Sequence, residues 1–177
     1  MKRYNSYVDR LRSLYGCRLQ KIVVDAGFTC PNRDGSISRG GCTFCDNRAF
    51  HPGYSTPDKS ILRQIDEGIE FHRGRYRGVS KYLAYFQPYS NTYAPLERLR
   101  EVYEEALSHP AVAGLVIGTR PDCVDGSKLD YIASLSRRSI VSLEFGIESC
   151  YDATLRRISE AAPADAVIGS NTSTILI

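Results

Sequence analysis

A chain of 177 residues with 42% hydrophobic and 24% charged side chains is long enough for one domain with its own core, and the composition is that of an ordinary globular protein. Met1 to Gly16 carries Lys2, Arg3, Asp9, Arg10 and Arg12 with no apolar stretch, which excludes a secretory signal, and no apolar run approaches the ~18 residues of a membrane span. A net charge of +3 is too small to establish nucleic-acid binding, so the chain is expected in the cytoplasm, away from membranes.

Tyr7, Leu11, Leu14 and Tyr15 recur at helical spacing and predict a short amphipathic helix over residues 5–15. Lys21 to Asp25 is β-branched and reads as a buried strand, followed by Gly27 and a glycine-rich polar loop that runs through Pro57. Thr56-Pro57-Asp58 has the pattern of a helix start, with Ile61, Ile65 and Ile69 on one face after it. Tyr82 to Phe86 is the second predicted strand. Pro95 then opens a helix whose inward stripe is Leu96, Leu99, Tyr103, Ala106 and Leu107. Leu115 to Ile117 is a third strand, and Ser127 with Asp130 reads as a capping box ahead of Leu129, Ile132 and Leu135. Ile140 to Phe145 is a fourth strand, and Ala153 to Ile158 begins a fourth helix.

Strand and helix thus alternate four times, the pattern of a parallel sheet with helical crossovers. Ligands in such sheets bind at the carboxyl ends of the strands. That rule brings the cysteine loop, Gln87, the segment Thr119 to Asp122 and the segment Glu144 to Ser149 to one rim. Residues 159–177 break the pattern. They are rich in small residues and nearly uncharged, a poor candidate for further strands, so the fourth strand is expected to leave an open edge.

Six cysteines with no secretory signal point to metal or catalysis rather than to disulfides. Three are clustered: eleven residues separate Cys30 from Cys42, and two separate Cys42 from Cys45. Thiolates suit iron–sulfur clusters and zinc, and three of them on a four-iron cluster leave one iron open to a further ligand. A structural zinc ion wants a fourth protein ligand, for which His51 is a candidate although the spacing fits no zinc finger. Plain buried thiols are the third reading; Pro31, Asn32, Asp34 and the glycines argue against a packed core there. Cys123 reads as a buried thiol, and Cys17 and Cys150 stand apart. The tyrosines between Tyr82 and Tyr93 suit stacking on nucleic acid as well as ordinary packing.

The segments FTCPNRDGSISRGGCTFC, KYLAYFQPYSNTY, GTRPDCV, and LEFGIES with DATLRRI occur in this order. Together they resemble the YhcC-type subfamily of radical-SAM proteins, which is similar to the radical-SAM subunit of Elongator. The resemblance runs from about Tyr15 to Ile158. It implies a partial (βα)6 TIM-like barrel with about four βα units present, and a 4Fe–4S cluster on Cys30, Cys42 and Cys45. It further implies S-adenosylmethionine (SAM) on the open iron, reduced to methionine and a 5′-deoxyadenosyl radical that abstracts hydrogen from an unknown substrate. An electron donor such as flavodoxin or ferredoxin is the implied partner, and RNA is an allowed substrate class.

By the same resemblance Gln87 contacts the methionine end of SAM or else caps its loop, and Phe44 lies beside the adenine or packs the loop. Arg120 holds the SAM carboxylate or a substrate, or simply pairs with Asp122. Glu144 binds the ribose hydroxyls or forms a salt bridge with Arg120. Family members continue well beyond this point, so residues 1–158 are expected to be the first part of a radical-SAM core. Residues 159–177 are expected to be an atypical tail on a fragment. The alternative from another class is a non-catalytic iron–sulfur or zinc-binding module.

Overall fold

The computed structural model describes residues 4, 6–47, 51–76, 78–151, 153–154, 157 and 169–176, the last stretch through its backbone. Helix α1 (Tyr7–Tyr15) is followed by strand β1 (Leu19–Val24) and a single-turn helix α2 (Pro31–Asp34). Then come α3 (Ile61–Arg73), β2 (Lys81–Phe86), α4 (Leu96–Ser108), β3 (Val112–Thr119), α5 (Gly126–Leu135), β4 (Ile140–Glu148) and β5 (Gly169–Leu176). The sheet order is β1-β2-β3-β4-β5, with β1 to β4 mutually parallel and β5 antiparallel to β4.

Two expected helix starts are corrected by the hydrogen bonds. Thr56 to Lys59 is a turn, and Ser60 caps α3 by accepting from Arg63 N at 3.3 Å. In α5 the cap is Asp125, which accepts from Lys128 N at 3.0 Å and from the Ser127 hydroxyl at 2.6 Å; Ser127 lies inside the first turn. A carboxylate beside free helix N–H groups outcompetes the hydroxyl two residues on.

Strand alternation sorts the interior into two layers. Ile22, Val24, Phe86, Leu115, Ile117, Val141 and Leu143 face α3, α4 and α5 in the main core. Gly68 lets α3 approach β1 closely: a Cβ there would lie 2.4 Å from Ile22 Cγ2. Leu19, Leu83 and Val116 point the other way and pack under Leu11 of α1. On this second face Lys21 of β1 reaches Glu144 of β4, with Nζ and Oε1 2.5 Å apart. Three ladder steps put those strands about 14 Å apart in a flat sheet. Side chains standing off the face meet only where it is concave, so the sheet curls around α1.

The α/β class and the four parallel strands agree with the sequence reading, but among the described residues the sheet is curved and open, and no closed barrel is formed. The expectation that the tail adds no strand is overturned. Gly169–Leu176 pairs with β4 from Ser142↔Leu176 to Glu148↔Gly169 and covers the edge that was expected to stay open. Thr172, Thr174 and Ile175 are β-branched, and the unpaired backbone groups of β4 offer a ready template for them. Ala153, Thr154 and Arg157 are helical, whereas the expected end at Ile158 and the start of the tail lie outside the described residues.

Candidate functional site

The chain leaves β1 through buried Asp25. Gln64 of α3 fixes this exit, its Oε1 accepting from Asp25 N and its Nε2 donating to Asp25 O, both at 2.8 Å. Gly27, with φ 73°, turns the chain toward Cys30, and its N–H donates to Asp25 Oδ1. Cys30 precedes α2, where Pro31 takes the first helical position, and Gly35 ends the turn at φ 97°. The loop then wraps back over α2: Ile37 N donates to Pro31 O and Gly41 N to Asn32 O. That return brings Cys42 and Cys45 to the side of Cys30, twelve or more residues earlier in the chain.

All three thiols open into one cavity of about 300 Å³ at the carboxyl ends of the parallel strands. Each sulfur receives one N–H donor. Asn32 Nδ2 lies 3.2 Å from Cys42 Sγ, Arg120 Nη1 lies 3.4 Å from Cys30 Sγ, and Asn47 Nδ2 lies 3.7 Å from Cys45 Sγ. Burial, only partly offset by Asn32, pushes the Cys42 thiol above its ordinary value. Among the described residues no three His, Cys, Asp or Glu side chains converge tightly enough to hold a single metal ion. A tetrahedral zinc ion at about 2.3 Å from each thiolate would need sulfurs within about 4 Å of one another. His51 is not the fourth ligand: its Nε2 sits 3.0 Å from Asp25 Oδ2, and it does not line the cavity.

The other strand ends complete the walls. After β2 come Tyr85, Gln87, Tyr89 and Ser90. Tyr89 has φ 62°, the left-handed region that a bulky side chain rarely enters. Its surroundings over-determine it: Ser90 N donates to Thr29 O, Asn91 N and Nδ2 both donate to Gly118 O, and Thr92 Oγ1, which donates to Cys123 O, accepts from the Thr119 hydroxyl. After β3, Arg120 makes a two-pronged bond to Asp122, with Nε to Oδ1 at 2.8 Å and Nη2 to Oδ2 at 2.6 Å. Burial works against its charge, yet Asp122 and the Cys30 thiol hold the guanidinium above its ordinary value. From β4 come Glu144, Gly146 and Glu148; burial pushes the Glu148 carboxyl up, and Arg120 partly offsets this.

Cys30, Cys42, Cys45, Phe44, Gln87, Arg120 and Glu144, all picked out in the sequence, line this one cavity. Two finer readings change, and one pairing is seen. Phe44 does not pack the loop interior, since it is 53% exposed at the mouth. Arg120 pairs with Asp122 and also donates to Cys30 Sγ. Glu144 pairs with Lys21 rather than with Arg120. Cys123 is buried behind the cavity, its thiol pushed up to about 12 chiefly by burial, and Cys17 and Cys150 are elsewhere. Of the tyrosine run, Tyr82 is core, Tyr85 and Tyr89 line the cavity, and Tyr93 OH meets the Ser36 hydroxyl at 2.8 Å.

Asn32, Asn47 and Tyr89 were missed. Asn47, two residues from the cysteine it pairs with, was a readable signal, whereas Asn32 reaches Cys42 ten residues on and nothing local in the sequence marks a strained tyrosine. Glu148 was missed as an individual residue, although period-two spacing from Glu144 puts it on the same face.

The chain is 38% identical over 159 residues to protein YhcC of Escherichia coli strain K12, covering 89% of this chain and 50% of that protein. It is 36% identical over 160 residues to the uncharacterized protein YtqA of Bacillus subtilis, covering 90% and 49% respectively. It is 33% identical over 168 residues to the uncharacterized protein MJ0486 of Methanocaldococcus jannaschii, covering 93% and 50%. The chain therefore spans about half the length of the curated relatives it matches. No protein-family model matches it, and no solved structure does.

Proposed function

We propose that this chain is the first part of a radical-SAM enzyme core, with Cys30, Cys42 and Cys45 as the protein ligands of a 4Fe–4S cluster and the adjoining cavity as the SAM site. The observation that carries the reading is convergence: cysteines spaced eleven and two apart open into the same cavity as Gln87, Arg120 and Glu144, each delivered by a different strand end. When bound, the cluster and SAM would supply one-electron reductive cleavage of a carbon–sulfur bond.

The chain's own residues bind and orient. Asn32, Asn47 and Arg120 each give one N–H to a ligand sulfur, which suits electron-rich thiolates and fixes their directions. Arg120, its plane locked by Asp122, presents a cation that suits a carboxylate. Glu144, held from below by Lys21, offers acceptor oxygens to an ammonium or hydroxyl group. Phe44 and Tyr89 provide aromatic faces at the wall for a flat ring. The reducing electron would come from a donor such as flavodoxin or ferredoxin. RNA is one substrate class the site admits.

The open sheet favours one further reading, a non-catalytic iron–sulfur module, because β5 lies antiparallel where a barrel would continue with a parallel strand. Anaerobic reconstitution with iron and sulfide, followed by absorbance and EPR spectra with and without SAM, tests both. The enzyme reading expects a 4Fe–4S signal that shifts on adding SAM, is lost in Cys42→Ala, and yields 5′-deoxyadenosine on reduction. A cluster indifferent to SAM supports the module. Protein that holds zinc or no metal overturns both readings for this chain.

A further inference from the structure

Behind the cavity wall stands a cation that, among the described residues, has no acidic partner. Arg33 of α2 donates from Nη2 to Cys45 O at 2.8 Å, and its guanidinium lies against Gly41, where a Cβ would come within 2.9 Å of Cζ. The guanidinium carbon sits 5.8 Å from the centre of the Tyr89 ring, the residue held at φ 62°. Arg33 is half-buried and does not itself line the cavity. Among the described residues no carboxylate pairs with it; the groups that hold its charge are Cys45 first, then Tyr89 and Cys30. Arg120, by contrast, is neutralised by Asp122. Among the described residues Arg33 is thus a positive charge beside the cysteines that no carboxylate compensates, fixed by a backbone carbonyl and with an aromatic ring over it.

We infer that Arg33, backed by Tyr89, is the residue that stabilises the reduced form of a cluster held by Cys30, Cys42 and Cys45. The inference rests on the proposed cluster. Reduction transfers one electron from an external one-electron donor, adds one unit of negative charge to the cluster and moves no proton. A fixed cation nearby favours the more negative state. Tyr89 shields one face of the guanidinium from water and supplies a cation–π contact, a reason for the backbone to tolerate its strained conformation. Because Arg33 lies behind the wall, it acts on the electron rather than on SAM.

The test is the midpoint potential of the reconstituted full chain, titrated with dithionite and followed by EPR. Arg33→Gln keeps a donor for Cys45 O and removes the charge; it is expected to lower the reduction equilibrium at least tenfold, which is about 59 mV more negative for one electron. Arg33→Lys keeps the charge and is expected to stay near the unsubstituted protein. Arg138→Gln, at an exposed ion pair with Glu104 on the opposite end of the strands, is the control and is expected to leave the potential unchanged. A cluster of unchanged potential in Arg33→Gln, whatever its iron content, overturns the inference while leaving the proposed cofactor intact. Failure of the unsubstituted protein to take up a cluster overturns the reading beneath it and the inference with it.

Discussion

Lys21→Met removes the cation that ties β1 to β4 across the concave face. The Glu144 side chain is 7% exposed and that of Lys21 24%, with Nζ also over the rings of Tyr85 (4.3 Å) and Tyr7 (5.1 Å). Breaking a fully buried pair by deleting one partner costs about 3–5 kcal/mol, because the remaining charge is stranded. Two features reduce that figure here: Lys21 is partly solvated, and the Tyr85 hydroxyl still hydrogen-bonds Glu144. A loss of about 2 kcal/mol is therefore expected, with the cation–π contacts a minor part of it. Urea unfolding followed by far-UV circular dichroism measures it, alone and in a cycle with Glu144→Gln. The coupling energy should reach at least about 1 kcal/mol, the range for residues in direct contact. A single-variant loss below about 0.5 kcal/mol with no coupling would refute both the ion pair and the curvature inferred from it.

The remaining predictions concern pH and packing. Cys123, Tyr7 and Tyr131 have folded-state values pushed up to about 12 by burial, from 9.0, 10.0 and 10.0. Above pH 9 the unfolded chain loses these protons first, so stability should fall as pH rises from 9 to about 12; Cys123→Ala should flatten the onset of that fall in thermal melts. Asp125 is lowered to about 2, first by the Ser127 hydroxyl, from 3.8. Its capping contribution is present above pH 3.8 and lost as pH falls through about 2, so Asp125→Ala should lower the melting temperature at pH 7 and far less at pH 2. Gly68→Ala gains about 1 kcal/mol of helix propensity but forces a Cβ to 2.4 Å from Ile22 Cγ2 and 2.9 Å from Tyr54 Cε2. Overpacking at about 1–3 kcal/mol outweighs the gain, so urea midpoints should drop.

Much of the site was legible because its parts follow from order along the chain. Four alternations of strand and helix put four loops at one end of a parallel sheet, and the residues in those loops could be named without coordinates. Helix starts were read less well. Thr56 and Ser127 are plausible caps locally, but Ser60 and Asp125 win on the hydrogen bonds available once the turns before them close. The tail was misjudged for a related reason: its small, uncharged residues say little alone, and pairing depends on the unfilled edge of β4.

Hydrophobic period and cysteine spacing are local properties, so the class of fold, the rim at the strand ends and the three thiols on it could be read without coordinates. Which charges meet depends on the tertiary structure. It paired Glu144 with Lys21 rather than with Arg120, gave Arg120 both Asp122 and Cys30, and left Arg33 beside the thiols with Tyr89 over it. Those choices turn on the curl of the sheet and the path of the cysteine loop over α2. Both arise from contacts between residues far apart in the chain, which no local pattern encodes.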